Sequence, residues 1–371
     1  MFRALLAITQ NTFTESLRQP VFLVLTLAGI FLLVIAPQLS SYSMDASTTG
    51  DNQMLVEFGL GNVWGVGMLL ACFTATGILV REIEEKTVLT VVSKPVPRPI
   101  VVLGKFLGCA LAITMACTTL GMTLLLLLRH RVLQVASDTI DWPVVFFGVG
   151  FGLLAVGTAF AANFLHRKPF CSTCAIALAI AATLAFAMVL FVDKQWHFQS
   201  PSTEFSAAIG STKSSLREVG VGLLFVIQGV WIMTAAAIAL STRLAQVPTL
   251  LICLVLFFVG GSLAPVSQYV SSQMGFDRIM PVGLAIPGIW QAPLPAGQKA
   301  FYLAVKVLTV IVPNLQLHWP TDALSRGSSL VADAQGGFSL VYLGRVSLYS
   351  ALQITGILSI GAVAFQRREV S

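Results

Sequence analysis

Residues 100–128 read IVVLGKFLGCALAITMACTTLGMTLLLLL, and Lys105 is the one charge in that stretch. A helix needs about 20 largely apolar residues to cross a bilayer, so this run alone places the chain in a membrane. Seven further runs meet the same test: Val21–Leu39, Val63–Val80, Val144–Leu165, Thr173–Phe191, Val219–Leu240, Leu250–Ala264 and Leu348–Phe365. Leu250–Ala264 is the shortest, and Pro248 and Pro265 bound it. The expected fold is all-α: a polytopic transmembrane helical bundle of about eight spans.

Composition agrees. Of 371 residues, 56% are hydrophobic and 10% are charged, against about 25% charged in a soluble domain. The net charge of +6 comes from basic residues in short loops beside apolar runs, which is a topology signal. No basic patch interleaved with aromatics reads as a nucleic-acid surface, so no nucleic acid is expected as a partner. The first run is longer than the roughly 7–15 residues of a signal-peptide core and reads as a retained span.

Two segments outside the spans carry their own patterns. In residues 1–20, Phe2, Leu5, Leu6, Thr9, Phe13 and Leu17 recur at helical spacing, which predicts a helix lying in the interface plane. Ala300–Val312 is apolar but holds Lys306 near its middle. A central lysine costs about 2.5–3.5 kcal/mol on insertion scales, so this stretch reads as an interfacial or re-entrant helix within an extracytoplasmic segment 268–344. With the N-terminus inside, the cytoplasmic loops hold Arg3, Arg18, the five basic residues from Arg81 to Lys105, Arg167, Lys168, Arg243, Arg367 and Arg368. Their density exceeds that of the opposite loops, and both termini fall inside.

Chemistry of other kinds finds little support. No Asp or Glu falls at the middle of a span, where ion-coupled carriers place one. His130, His166, His197 and His318 are far apart and mostly at span ends. Cys171 and Cys174 form a Cys-x-x-Cys without the second pair or the strand-helix context of a zinc or redox site. Gly104-Lys105 lacks the upstream glycine and following Ser/Thr of a phosphate loop. Neither catalytic residues, nor a metal site, nor a cofactor is expected on the chain. The pairs Gly61/Gly65, Gly104/Gly108 and Gly148/Gly152 have the four-residue spacing of close helix packing in lipid. Trp142 and Trp196 lie near span ends, where aromatic belts form.

The cytoplasmic segment 81–99 stands apart. It opens with Arg81-Glu82-Ile83-Glu84-Glu85, continues through Thr87, Val88, Leu89, Val91, Val92 and Ser93, and closes with Lys94-Pro95-Val96-Pro97-Arg98-Pro99. The pattern predicts a short amphipathic helix opened by carboxylates, where a helix dipole favours them, and stopped by prolines. Held near the bilayer by two spans, it would present carboxylates and apolar side chains to a soluble partner.

This segment resembles the coupling-helix signature of type 2 ABC permeases. The matching residues are Glu82, Glu84, Glu85, Thr87, Ser93, Pro95, Val96, Arg98, Gly104 and Lys105; Lys86 stands where that family often has glycine. The N-terminal interfacial helix is similar to the family's elbow helix. The resemblance implies a single permease domain over residues 1–371 and an ATPase-coupling helix over Glu82–Ser93. It also implies a separate ABC ATPase that carries ATP, a second permease copy, and a place in the bacterial cytoplasmic membrane. The family core has six spans, which would make Val144–Leu165 and Thr173–Phe191 additions. A membrane scaffold or assembly factor without transport, and an ATP-independent secondary transporter, stay open as other readings.

Overall fold

The computed structural model describes residues 1–40, 48–84, 97–132, 139–206, 215–273, 297, 300, 304, 307, 312–320, 324 and 340–366. In chain order the helices are α1 (Phe2–Arg18), α2 (Pro20–Ser40), α3 (Thr48–Glu84), α4 (Arg98–His130), α5 (Trp142–His166), α6 (Phe170–Phe191), α7 (Pro201–Ser206), α8 (Leu216–Ser241), α9 (Gln246–Gln273) and α10 (Leu340–Gln366). A 3-10 turn, η1, spans Leu315–His318. Among the described residues there is no strand, only an isolated bridge between Val192 and Phe198.

Seven of these helices are long and apolar enough to cross a membrane: α2, α3, α4, α5, α6, α8 and α10. The chain is a multi-pass helical membrane protein. The eighth expected span falls on α9, a helix of 28 residues whose apolar part, Gln246–Ser262, is shorter than in the other seven. Neighbours joined by short turns, such as α5–α6 and α8–α9, run antiparallel.

Local chemistry sets the ends. Pro20 occupies the first position of α2, where its fixed φ suits a helix start and its missing N–H costs nothing. Ser215 and Glu218 form a reciprocal capping box at α8: the Glu218 amide donates to Ser215 Oγ at 3.4 Å, and the Ser215 amide donates to Glu218 Oε2 at 3.0 Å, the pattern a Ser-x-x-Glu sequence supports. Asp141 caps α5 by accepting from the Val144 amide at 3.3 Å. Arg167 ends α5 in the left-handed region, at φ 52°.

Three helices form the centre. In the span windows of α3, α4 and α8, 67% of residues are buried, against 17% in α5 and 22% in α10. α4 touches α1, α2, α3, α6, α8 and α10. Its inner polar groups are satisfied locally: Thr114, Thr118, Thr119 and Thr123 each donate to a carbonyl four residues back. Thr114 also accepts from the Trp231 indole of α8 at 2.8 Å. The pair α5–α6 lies outside this centre, and Trp142, Trp196 and Phe198 are exposed at its far end.

The structure changes three boundaries. α3 begins at Thr48, well before the apolar run at Val63. Its early polar residues find partners on other elements: the Asn62 carboxamide donates to the Gly29 carbonyl at 2.8 Å, and Asn52 Oδ1 accepts from the Val132 amide at 3.4 Å. The other end of α3 runs on through Glu82 and Glu84. These carboxylates therefore close a long helix instead of opening a short one. At the edges of segment 268–344 helix also runs on: α9 continues to Gln273 and α10 starts at Leu340. A helix need not end where hydrocarbon does.

Candidate functional site

Of the coupling residues read from the sequence, Glu85, Thr87, Leu89, Ser93 and Pro95 lie outside the described residues. Glu82 and Glu84 belong to the last turn of α3, and Arg98 is the first residue of α4. Pro97 caps α4 and Pro99 stands in its first turn, so the proline run marks the helix start that follows the segment.

Gly104 and Lys105 come two turns into α4, and here the structure shows what the glycine does. A Cβ at Gly104 would lie 2.8 Å from Ile8 Cγ2, and one at Gly108 would lie 2.7 Å from the Thr9 carbonyl oxygen and 3.0 Å from the Phe13 amide nitrogen. α1 thus crosses α4 over these two glycines, with backbone against backbone at Gly108 and the Ile8 side chain against Gly104. Thr12, Ser16 and Leu17 complete the buried face of α1, and Ser16 Oγ donates to the Thr12 carbonyl at 2.8 Å. The helix preceding the first span is consequently packed on the helix that follows segment 81–97. Lys105 is only 5% exposed; its side chain is enclosed by protein and does not snorkel.

The other glycine pairs behave differently. A Cβ at Gly65, Gly148 or Gly152 would meet nothing within 4 Å. Equal spacing therefore separates one pair that seats a helix from positions that face open space.

A second constellation was not legible in the sequence. Residues 312–320 enter the bundle between α3, α8, α9 and α10. A Cβ at Gly229 would lie 3.0 Å from His318 Cβ, and one at Gly260 would lie 2.7 Å from the Pro313 carbonyl oxygen. Gly229 is the fourteenth of the 26 residues of α8, and Gly260 the fifteenth of the 28 of α9. At 1.5 Å per residue both stand about 20 Å from either helix end. The segment therefore packs against the middle of both helices. Within Ala300–Val312 itself, residues 300, 304 and 307 are helical and exposed, and Val312 is buried.

Irregular backbone there persists only where protein or water satisfies its polar groups. Here α10 does so. Tyr349 OH accepts from the Asn314 amide at 2.8 Å, and Tyr342 OH donates to the Leu317 carbonyl at 3.3 Å. Asn314 Oδ1 accepts from the Gln316 amide at 3.1 Å. His318 is fully buried, with Nε2 2.8 Å from Ser350 Oγ. Ser350 Oγ is 3.4 Å from Gln228 Oε1, and Gln228 Nε2 donates to Ser347 Oγ at 2.9 Å. The Trp319 ring stands edge-on to Trp64 at 5.9 Å, and Trp64 lies 6.3 Å from Phe257. A histidine that the sequence reading placed within the segment 268–344 is instead the centre of a hydrogen-bonded network among the helices.

This seat gives a direct test. A Cβ at Gly229 would lie 2.5 Å from Trp64 Cη2 and 2.7 Å from Cζ3. Gly229→Ala should destabilise the chain by about 1–3 kcal/mol, the usual cost of overpacking a filled core. The thermal midpoint of the detergent-solubilised protein is the measurement, and an unchanged midpoint would disprove the close approach.

The opposite end of α4 holds one buried ion pair. Arg129 Nε is 3.4 Å from Asp141 Oδ2, with side chains 2% and 0% exposed. Arg129 Nη2 donates to the Val192 carbonyl at 2.6 Å, and Nη1 donates to the Val189 carbonyl. The guanidinium sits on the carbonyl end of α6 while Asp141 caps α5, so each charge faces the helix terminus of opposite sign. Neither residue stood out in the sequence, because Arg129 reads as one more basic residue after a span.

No protein-family model matches the chain, and no curated protein matches it.

Proposed function

We propose that the chain is the membrane-spanning permease subunit of an ABC transporter of the type 2 kind, working as an exporter with a separate ATPase chain. In this reading ATP binds to the partner, and closure of the ATPase pair pushes on the segment Glu82–Ser93. Two permease copies share the membrane, and both termini of each are cytoplasmic. The signature residues of segment 81–105 support the reading. The observation that carries it is the seat of α1 on Gly104 and Gly108. A push arriving where α4 begins would act on α1 and α4 as one packed body and so reach the centre of the bundle.

The test is co-purification. Wild-type chain should bring down an ABC ATPase in fixed proportion. The double reversal Glu84→Lys, Glu85→Lys should lower the captured ATPase by about tenfold or more, because like charges placed opposite each other at an interface cost several kcal/mol. The amount of chain inserted in the membrane should not change. Capture that survives the reversal removes the coupling role from these carboxylates. A wild-type chain that captures no ATPase supports a scaffold instead.

A further inference from the structure

We propose that His318 is an acid-sensitive latch: its neutral imidazole holds the segment 312–320 among the helices, and protonation releases that segment. The inference stands on the geometry of the network and is independent of any ATPase.

The short Ser350–Val346 hydrogen bond favours the form of the ring protonated on Nε2. Ser350 has one hydroxyl proton, and its Oγ lies 2.8 Å from the Val346 carbonyl, which can only accept. With that proton directed to Val346, Ser350 accepts from His318, so His318 carries its proton on Nε2. Nδ1 is buried and has no hydrogen-bond partner. A second proton would arrive there, on a ring closed off from water.

Among the described residues only the Asn314 backbone favours the charged ring. From α3 Trp64 and from α8 Gly229 meet beside His318, Gln228 of α8 reaches Ser350, and α9 approaches the segment at Gly260, against Pro313 and Leu315. α10 contributes Tyr342, Tyr349 and Ser350; the Tyr349 ring is 6.2 Å from the imidazole, and Arg345 on the same helix is exposed. The segment itself offers Asn314 and Gln316. Among the described residues no carboxylate faces His318 from any of these elements. Burial holds its pKa below the ordinary histidine range, with the backbone of Asn314 pulling weakly the other way.

The sign follows from linkage. The ring binds its second proton more readily once released into water than when packed, so release takes up a proton. The packed arrangement is at full strength above the ordinary histidine value of about 6.5 and weakens as pH falls below it. Each pH unit below that value favours release about tenfold until the packed ring itself titrates.

The experiment is amide hydrogen exchange of the full chain in lipid nanodiscs, at pH 7.5 and pH 5.0, corrected for the intrinsic rate. The probes are the amides of Asn314, Gln316 and Trp319, each hydrogen-bonded in the packed arrangement. Wild type should open about thirtyfold more often at pH 5.0. His318→Gln keeps a donor for Ser350 but takes up no proton in this range, so its ratio should stay near one. Should His318→Gln fail to fold, His318→Asn replaces it, and the wild-type titration decides by itself through a one-proton slope below pH 6.5. A wild-type ratio below about threefold, or an equal acid response in the Gln or Asn variant, overturns the latch.

Discussion

Arg129→Met is expected to destabilise the chain by about 3–5 kcal/mol, the usual loss when one partner of a buried ion pair is removed. The guanidinium is held by its ion pair with Asp141 on one side and by hydrogen bonds to the Val189 and Val192 carbonyls on the other. Without it Asp141 is left as a buried charge, and two carbonyls at the end of α6 lose their donor. Asp141→Asn should cost less. The carboxamide oxygen still caps α5 at Val144, and Arg129 keeps the carbonyl end of α6, where a cation is favoured. The double variant Arg129→Met, Asp141→Asn should then be more stable than Arg129→Met alone, because the stranded charge is gone. That non-additivity distinguishes a charge effect from mere lost packing. Thermal midpoints of the four proteins, read by size-exclusion chromatography after heating, provide the cycle. A double variant weaker than Arg129→Met would show that the carboxylate of Asp141 is not what Arg129 compensates.

The sequence announced the fold through local patterns and hid the site through distant ones. α1 occupies Phe2–Arg18, as its helical spacing indicated, because the pattern starts at the terminus and Gln19-Pro20 ends it. The long apolar runs became helices for an equally local reason. The start of α3 was not legible, since Asn52, Glu57 and Asn62 interrupt the apolar run. Glu57 is exposed, and what allows the two asparagines is the Gly29 carbonyl and the Val132 amide, groups 33 and 80 residues away in the chain. The place of His318 was hidden for the same reason. It depends on Gly229, Gly260 and Ser350, which come from three other helices, and only Pro313 and Pro320 on either side hint at irregular backbone. The carboxylates of segment 81–99 were read as opening a helix because apolar character ends near Val80, yet backbone hydrogen bonding carries α3 on to Glu84. Hydropathy reports where lipid ends, and the helix obeys a different constraint.

The glycine pairs make that difference measurable. Gly65→Ala should be neutral or slightly stabilising, since its Cβ meets nothing within 4 Å and alanine is the better helix former by about 1 kcal/mol. Gly104→Ala should cost less than Gly108→Ala, because its Cβ meets only the Ile8 side chain, 2.8 Å from Cγ2 and 3.0 Å from Cβ, and no backbone. Gly108→Ala meets the Thr9 carbonyl oxygen at 2.7 Å and the Phe13 amide nitrogen at 3.0 Å. Backbone cannot turn aside, so α1 as a whole must lift from α4. The expected loss is about 1–3 kcal/mol for alanine, and Gly108→Leu should detach the helix. Detachment is read directly by trypsin cleavage at Arg18, which the packed α1 resists and the released one does not. The order Gly108, Gly104, Gly65 is the content of the prediction. Were Gly104→Ala the most damaging, the closest approach of the two helices would lie a turn nearer the start of α4. Equal effects at all three would mean that helix propensity, not contact, sets the response. If α1 and α4 do move as one body, Gly108→Leu should leave ATPase capture intact while abolishing any change that the captured ATPase produces in the bundle. Binding and transmission would then be separated by a single residue that touches neither partner.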